Sequence, residues 1–133
     1  MKYEIIFYED KNGVSPVFEY LKKLSSKKDK NSRINRNKIF EYIGLLEKQG
    51  KELGEPYIKY LEGDIWELRP IRNRLLFATL TGNTIIILHY FIKKTQKTPK
   101  REIEKAKRNL QDTINRRELI WVNIVIQAKN GEI

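Results

Sequence analysis

The chain has no cysteine, one methionine and a single histidine, His89, among 133 residues. Without cysteine there is no disulfide framework and no thiolate metal site, so any redox compartment is permitted. One histidine does not make a transition-metal site, and no metal is expected. Neither a Walker loop nor a GxGxxG stretch is present, so no nucleotide or other cofactor is expected. No segment approaches the roughly 18 consecutive apolar residues that would cross a membrane. The opening MKYEIIFYED lacks the apolar run and small-residue cleavage site of a signal peptide. It is read as a strand, and the protein as cytoplasmic with no membrane partner.

Acidic residues are scarce in one part of the chain only. Residues 1–68 hold 13 Lys+Arg against 12 Asp+Glu, residues 69–118 hold 13 against 4, and residues 119–133 hold one of each. Nearly all of the formal net charge of +10 therefore sits in fifty consecutive residues. A bland basic surface would spread it; concentration of this kind is the footprint of a polyanionic partner. The same scarcity of carboxylates argues against a metal-dependent nuclease with an Asp/Glu cluster. At 133 residues and 40% hydrophobic, the chain suits one ordinary domain with a real core.

Local patterns order the elements. KYEIIFY at residues 2–8 is rich in strand formers. Ser15-Pro16 is a cap and first-turn proline, and Val17, Leu21 and Leu24 continue a helix to about Leu24. A polar linker over 25–32 leads to a second helix over 33–49, with Ile39, Ile43 and Leu46 on its apolar stripe and Gly50 ending it. Residues 51–63, with Gly54, Pro56 and Gly63, are read as loop. Strands follow at 64–70, 74–80 and 84–92, with separators short enough to make an antiparallel meander. Thr98-Pro99 opens a third helix as cap and first position, with an apolar stripe of Ile103, Ala106, Leu110 and Ile114. Arg101, Lys105 and Arg108 form a basic stripe beside it. The expected fold is α+β: an antiparallel sheet with an N-terminal helical hairpin on one face, an open second face, and a C-terminal helix. In DIWELRP, alternation sends Trp66 and Leu68 to the core and Ile65, Glu67 and Arg69 to the open face. The main domain is expected to end near residue 118. The tail over 119–133, hydrophobic and strand-prone from Leu119 to Ala128, is read as an added strand, a partner-binding segment or an aggregation-prone end.

The residues with chemistry to offer are Arg69, Arg72, Arg74, His89, Lys93, Lys94 and Lys97. Cutting RNA at an internal 2′-hydroxyl requires a proton acceptor, neutralisation of the crowded phosphate and a proton donor to the leaving 5′-oxygen. Arginine suits the phosphate because its planar fork pairs with phosphate oxygens. Clustered lysines and the lone histidine are the groups that could move protons. The histidine and the lysines have plainer readings, since a histidine in an apolar strand is more often a bonded core residue and a lysine run is often a solvated loop; arginines are rarely placed in two neighbouring short strands unless they bind something or pair with Glu67.

Several stretches together resemble the phage-derived, HigB-like branch of the RelE/ParE toxin superfamily. They are Gly13 and Pro16 with Phe18, Tyr20 and Leu21; Gly50, Leu53 and Pro56; EGDIWELR over 62–69; and LHYFIKKTQKTP over 88–99. The resemblance covers about residues 1–117. It implies a RelE-like fold and the toxin of a type II toxin–antitoxin pair, an endonuclease cutting messenger RNA on the ribosome; the scarcity of carboxylates adds that the cut is made without a metal. It implies as catalytic candidates Arg69 (the arginine of the ELR strand), Arg74 (with Asn73 where the family has tyrosine before it), and the paired Lys93 and Lys94. His89 is added as a secondary candidate. Arg72, Lys97, Lys100, Arg101, Lys105 and Arg108 are the expected RNA-binding set. The implied partners are a HigA-like helix-turn-helix antitoxin, messenger RNA on the ribosome, and room for higher-order toxin–antitoxin assembly. Phe18, Tyr42, Ile120, Trp121 and Val122 mark the helical side and the tail as the favoured antitoxin surface. A gyrase-binding inhibitor and a plain nucleic-acid-binding module remain the alternatives.

Overall fold

The computed structural model describes residues 2–131, and their side chains apart from those of residues 118–124. The elements run β1 (Glu4–Phe7), α1 (Pro16–Ser26), α2 (Lys30–Gln49), a 3-10 turn (Gly50–Leu53), β2 (Ile58–Glu62), β3 (Ile65–Leu68), β4 (Asn73–Thr79), β5 (Thr84–Ile92) and α3 (Lys100–Lys129). The five strands make one sheet in the order β1-β5-β4-β3-β2. Strands β2 to β5 are the expected antiparallel meander, whereas β1 joins the edge parallel to β5. The helical hairpin therefore carries the chain across the whole sheet, from the β1 edge to the β2 edge.

Local chemistry explains the helix ends. Ser15 Oγ accepts from the Phe18 amide at 3.3 Å, and Pro16 occupies the first turn, as its fixed φ allows. Helix α2 starts three residues earlier than its apolar stripe indicates, because the Asp29 carboxylate caps the Ser32 amide at 2.9 Å. The segment expected to be all loop contains β2. Its burial runs from buried Ile58 to exposed Lys59 and Tyr60, and a register shift interrupts it between Tyr60 and Glu62. Neither alternation nor a continuous apolar run survives there to signal a strand.

Both faces of the sheet are packed, which corrects the expected open face. On one side Leu68, Leu75, Phe77, Ile85 and Ile87 meet Val17, Leu21, Ile39 and Leu46 of the hairpin. On the other, Ile65, Leu76, Ala78, Ile86 and Leu88 meet Ile103, Ala106 and Leu110 of α3. Each such side chain larger than alanine contributes about 2 kcal/mol by leaving water. The alternation in DIWELRP is as expected, but Ile65 is fully buried beneath α3. The added strand considered for the tail does not form: backbone 119–129 continues α3. Ile120, Trp121 and Val122, named as a partner-binding candidate, have side chains outside the described residues. Among the described residues no helix is long and apolar enough to cross a membrane.

Two features fasten the layers. Gly50 has φ +57°, and a Cβ there would lie 2.5 Å from the Tyr3 ring, whose own amide donates to Glu47 O. Gly50→Ala is expected to lower the unfolding free energy by about 2 kcal/mol or more, through left-handed strain plus displacement of Tyr3; urea unfolding measures it. At the opposite end of the sheet the Tyr8 hydroxyl donates to Asp112 of α3 at 2.6 Å, and Arg116 holds the same carboxylate at 3.0 Å. Burial first, then the Asp112 bond, pushes the Tyr8 phenol from its ordinary 10 up to about 12. The folded state thus binds this proton more tightly than the unfolded chain, so its contribution is complete below pH 10 and fades as pH rises through about 12. Tyr8→Phe is expected to flatten the fall of stability across that alkaline window, leaving the smaller slope from Tyr20, also raised by burial.

Candidate functional site

The end of the sheet that α3 leaves uncovered collects the candidate residues. Register sets two rows across it. Glu67, Leu76 and His89 pair from β3 to β5, and the next row on the same face brings Arg74 opposite Phe91, with Arg69 one step beyond β3. His89 reaches this face through a β-bulge. Leu76 pairs with His89 while Phe77 pairs with Ile87, so Leu88 is an extra residue on β5. Simple alternation from Ile85 and Ile87 would have turned His89 toward the hairpin. The bulge turns it toward α3 instead, and hands Tyr90 to the hairpin side, where it stacks on Tyr20 at 4.2 Å.

Glu67 is the centre of the site and is 1% exposed. Its Oε1 lies 3.5 Å from Arg69 Nε and 3.8 Å from Arg74 Nε, and its Oε2 accepts from the Thr98 hydroxyl at 2.6 Å. Thr98 therefore does not cap α3. Pro99 occupies the cap position, and the hydroxyl instead ties the 93–99 loop to β3. Arg74, 6% exposed, also donates from Nη1 to the carbonyls of Ile71 at 3.0 Å and Asn73 at 2.9 Å. Burial lowers its pKa, and Glu67 opposes that shift. Little of Arg74 is left for a ligand to reach. Arg69 is different: its side chain is 23% exposed, and its buried Nε has no hydrogen-bond partner, the Glu67 contact being an ion pair only.

The loop after β5 arranges the lysines. Arg72 and Lys93 are bonded both ways: Lys93 N donates to Arg72 O at 2.7 Å, and Arg72 Nη2 donates to Lys93 O at 2.8 Å. Four clefts share lining residues from this loop. One of about 330 Å³ holds Arg69, Glu67, Lys97 and Lys59. A second, about 340 Å³, lies between Phe91, Lys94, Arg101 and Glu102. A third, about 400 Å³, is bounded by Ile71, Arg72, Lys93 and Lys94. A fourth, about 530 Å³, is bounded by Glu62, Lys97, Lys100 and Arg101. His89 Nε2 sits 2.7 Å from Glu102 Oε1 of the first turn of α3, with both side chains under one-fifth exposed. Lys100 and Arg101 begin α3 beside the loop. Lys105 and Arg108 are exposed further along α3 and line none of these clefts.

The site thus unites Arg69, Arg72, Arg74, Lys93, Lys94, Lys97 and Arg101, and sets His89 behind them. Among the described residues, Arg72, Lys93, Lys94, Lys97, Lys100, Lys105 and Arg108 make no ion pair, whereas Glu67 is engaged by arginines, Glu102 by His89 and Glu62 by Lys107. Among the described residues no three His, Asp or Glu side chains are grouped to hold a metal ion. Sequence reasoning missed Glu102 and the Thr98 link. The only available signal was a lone carboxylate in the first turn of α3, where the helix dipole favours one.

Glu67→Gln keeps the hydrogen-bond acceptor and removes the charge between two guanidiniums. It is expected to lower stability by about 3 kcal/mol, since it leaves a buried arginine without its counter-charge; urea unfolding tests it, and an unchanged midpoint would contradict the assignment.

A family model described as Phage derived protein Gp49-like (DUF891) matches residues 19–111, from within α1 to well into α3. The match takes in Glu67, Arg69, Arg74, His89, the whole 93–99 loop and Glu102. No curated protein matches the chain. With well over half of its length matched, the chain belongs to the phage-derived Gp49-like family, a family of RelE/HigB-type toxins associated with toxin–antitoxin systems.

Proposed function

We propose that this protein is the toxin of a type II pair, of the HigB-like branch, and that it cuts messenger RNA in the ribosomal decoding site. The observation that carries the proposal is the Glu67 hub. One buried carboxylate binds Arg69, Arg74 and Thr98, and so holds the lysine-bearing loop against an arginine that the fold has not fully used.

In this reading the 2′-hydroxyl of one nucleotide attacks the adjacent phosphorus. The O2′–P bond forms, the P–O5′ bond breaks, and the products carry a cyclic phosphate and a free 5′-hydroxyl. Arg69 neutralises the charge that grows on the non-bridging oxygens through the exposed part of its side chain, while its buried Nε stays with Glu67. Arg74 acts from behind, fixing the 71–73 turn and sharing Glu67. Lys93 and Lys94 carry phosphate contact and proton transfer, and His89, oriented by Glu102, is the second proton carrier. Arg72, Lys97, Lys100, Arg101, Lys105 and Arg108 extend the track for the RNA backbone. The reaction needs no divalent ion, because the site's carboxylates are committed to basic partners.

A protein of this kind acts in the cytoplasm and needs a covering partner, here a HigA-like helix-turn-helix antitoxin. Phe18, 52% exposed, and Phe40, 48% exposed, give the helical hairpin an apolar outer surface for it. Tyr42 is less available, being half-buried in an edge-on contact with Tyr57. Gripping there would block the ribosome by bulk rather than by filling the basic clefts, and would leave room for higher-order toxin–antitoxin assembly.

Arg69→Ala is expected to reduce messenger RNA cleavage about a hundredfold in protein that is still folded at the assay temperature, and to lower the unfolding midpoint because Glu67 loses one of its two counter-charges. Arg69→Lys restores only part, because an ammonium cannot engage two oxygens in a plane. Primer extension on induced cells reads the cuts. Full growth arrest by Arg69→Ala at equal expression sinks the assignment, and intact transcripts with broken DNA would favour a gyrase-directed toxin.

A further inference from the structure

The turn between β3 and β4 holds a residue in a costly conformation. Pro70, Ile71, Arg72 and Asn73 form a turn closed by the Asn73 amide donating to Pro70 O at 3.0 Å. Ile71, its first central residue, has φ +59° and is the only non-glycine among the described residues with positive φ. Glycine dominates that position, and a β-branched side chain there is a true outlier. The fold holds it in place: Arg74 Nη1 donates to Ile71 O at 3.0 Å, and the Asn73 amide group donates to Pro70 O at 3.1 Å.

Nothing in the packing rewards this strain. Ile71 is 45% exposed and belongs to neither core. Its side chain instead borders the cleft whose other walls carry Arg72, Lys93 and Lys94, three cations without an ion pair among the described residues. An aliphatic residue beside cations that lack a counter-charge fits a ligand that is flat and apolar in one part and anionic in the next. A nucleotide has that alternation: its base offers a face, and its phosphates lie on either side. An antitoxin segment would need carboxylates at matching spacing around an apolar side chain.

We infer that Ile71 is a specificity-determining contact, packing against the face of an RNA base while Arg72, Lys93 and Lys94 hold the flanking phosphates. The inference rests on the RNA-cutting reading, but it concerns base contact rather than cleavage.

The test uses the full chain with Ile71→Gly and Ile71→Asn, both at ease with positive φ. Three readouts are taken: thermal unfolding, low-salt binding of an uncleavable 2′-O-methyl RNA oligonucleotide with and without one abasic nucleotide, and the distribution of cuts in messenger RNA on ribosomes. Relief of strain is expected to raise the unfolding midpoint by about 3 °C. Binding of the base-containing oligonucleotide should weaken about fivefold, the size of one apolar side-chain contact, and the best abasic position should bind parent and variants alike. Cuts should spread over more sequences. A fall in the midpoint would mean that Ile71 packs the fold, and unchanged binding and cut distribution would remove the base contact; either overturns the inference. If the parent binds through Ile71 but cuts no transcript, the base contact stands and the cleavage reading fails. If variants bind RNA as the parent does and lose only the antitoxin, Ile71 belongs to a protein interface.

Discussion

A carboxylate buried to 1% exposure is an expensive object, and this fold is arranged around one. Glu67 tolerates its position only because two guanidiniums and a hydroxyl converge on it. Each partner comes from a different place: Arg69 from the end of β3, Arg74 from β4, and Thr98 from the loop that enters α3. Satisfying one charge therefore fixes the relative position of three segments. That is a stronger constraint than apolar packing supplies, because aliphatic side chains at a sheet end would accept many arrangements of a lysine-rich loop. The two arginines are not equivalent in this arrangement. Arg74 is spent on the carboxylate and on two turn carbonyls, and it is the better buried. Arg69 gives the carboxylate an ion pair without a hydrogen bond and keeps an exposed edge.

The helical layers decide where such a site can be. With α1 and α2 on one face and α3 on the other, most of the sheet is unreachable. Helix α3 begins only after the 93–99 loop has turned back, so the ends of β3, β4 and β5 emerge beyond its first turn. The bulge at Leu88 matters here. It shifts the parity of β5 at the point where the strand leaves the apolar core, sending His89 and Phe91 to the α3 side and Tyr90 to the hairpin. One extra residue thus gives both faces what they need: an aromatic stack for the core and a histidine for the site, bonded to the first-turn carboxylate of the covering helix.

Much of this was visible in the residues themselves, and the exceptions share a cause. Caps, first-turn prolines and short strand separators are local signals, so α1, α2 and the β3–β5 meander emerge from pattern alone. Arg69 and the paired lysines were visible because charge in a strand or a tight loop is locally anomalous. The strand β2 was not, since edge exposure and a register shift erased its alternation. The second buried face was not, because it depends on where α3 lies. Thr98 looked like a cap because a hydroxyl before proline usually is one; only the carboxylate brought to it from β3, 31 positions away, redirects it. Long-range pairing, not weak propensity, separates what the chain declares from what it conceals.

The cations can be sorted by the same logic. Those that the fold uses are satisfied close to home: Arg74 by Glu67 and carbonyls, Lys107 by Glu62, Arg116 by Asp112. Arg72, Lys93, Lys94, Lys97 and Lys100 gather at one end of the sheet without a carboxylate partner among the described residues. Like charges gathered in one region raise the energy of the folded state and are only partly screened at physiological salt. A fold meant only to be stable would disperse them or interleave acids, as residues 1–68 of this chain do. Their retention beside a strained, solvent-facing isoleucine places two unfavourable features in one cleft. Independent defects would have no reason to coincide, whereas an anionic ligand with apolar faces relieves the first and makes use of the second.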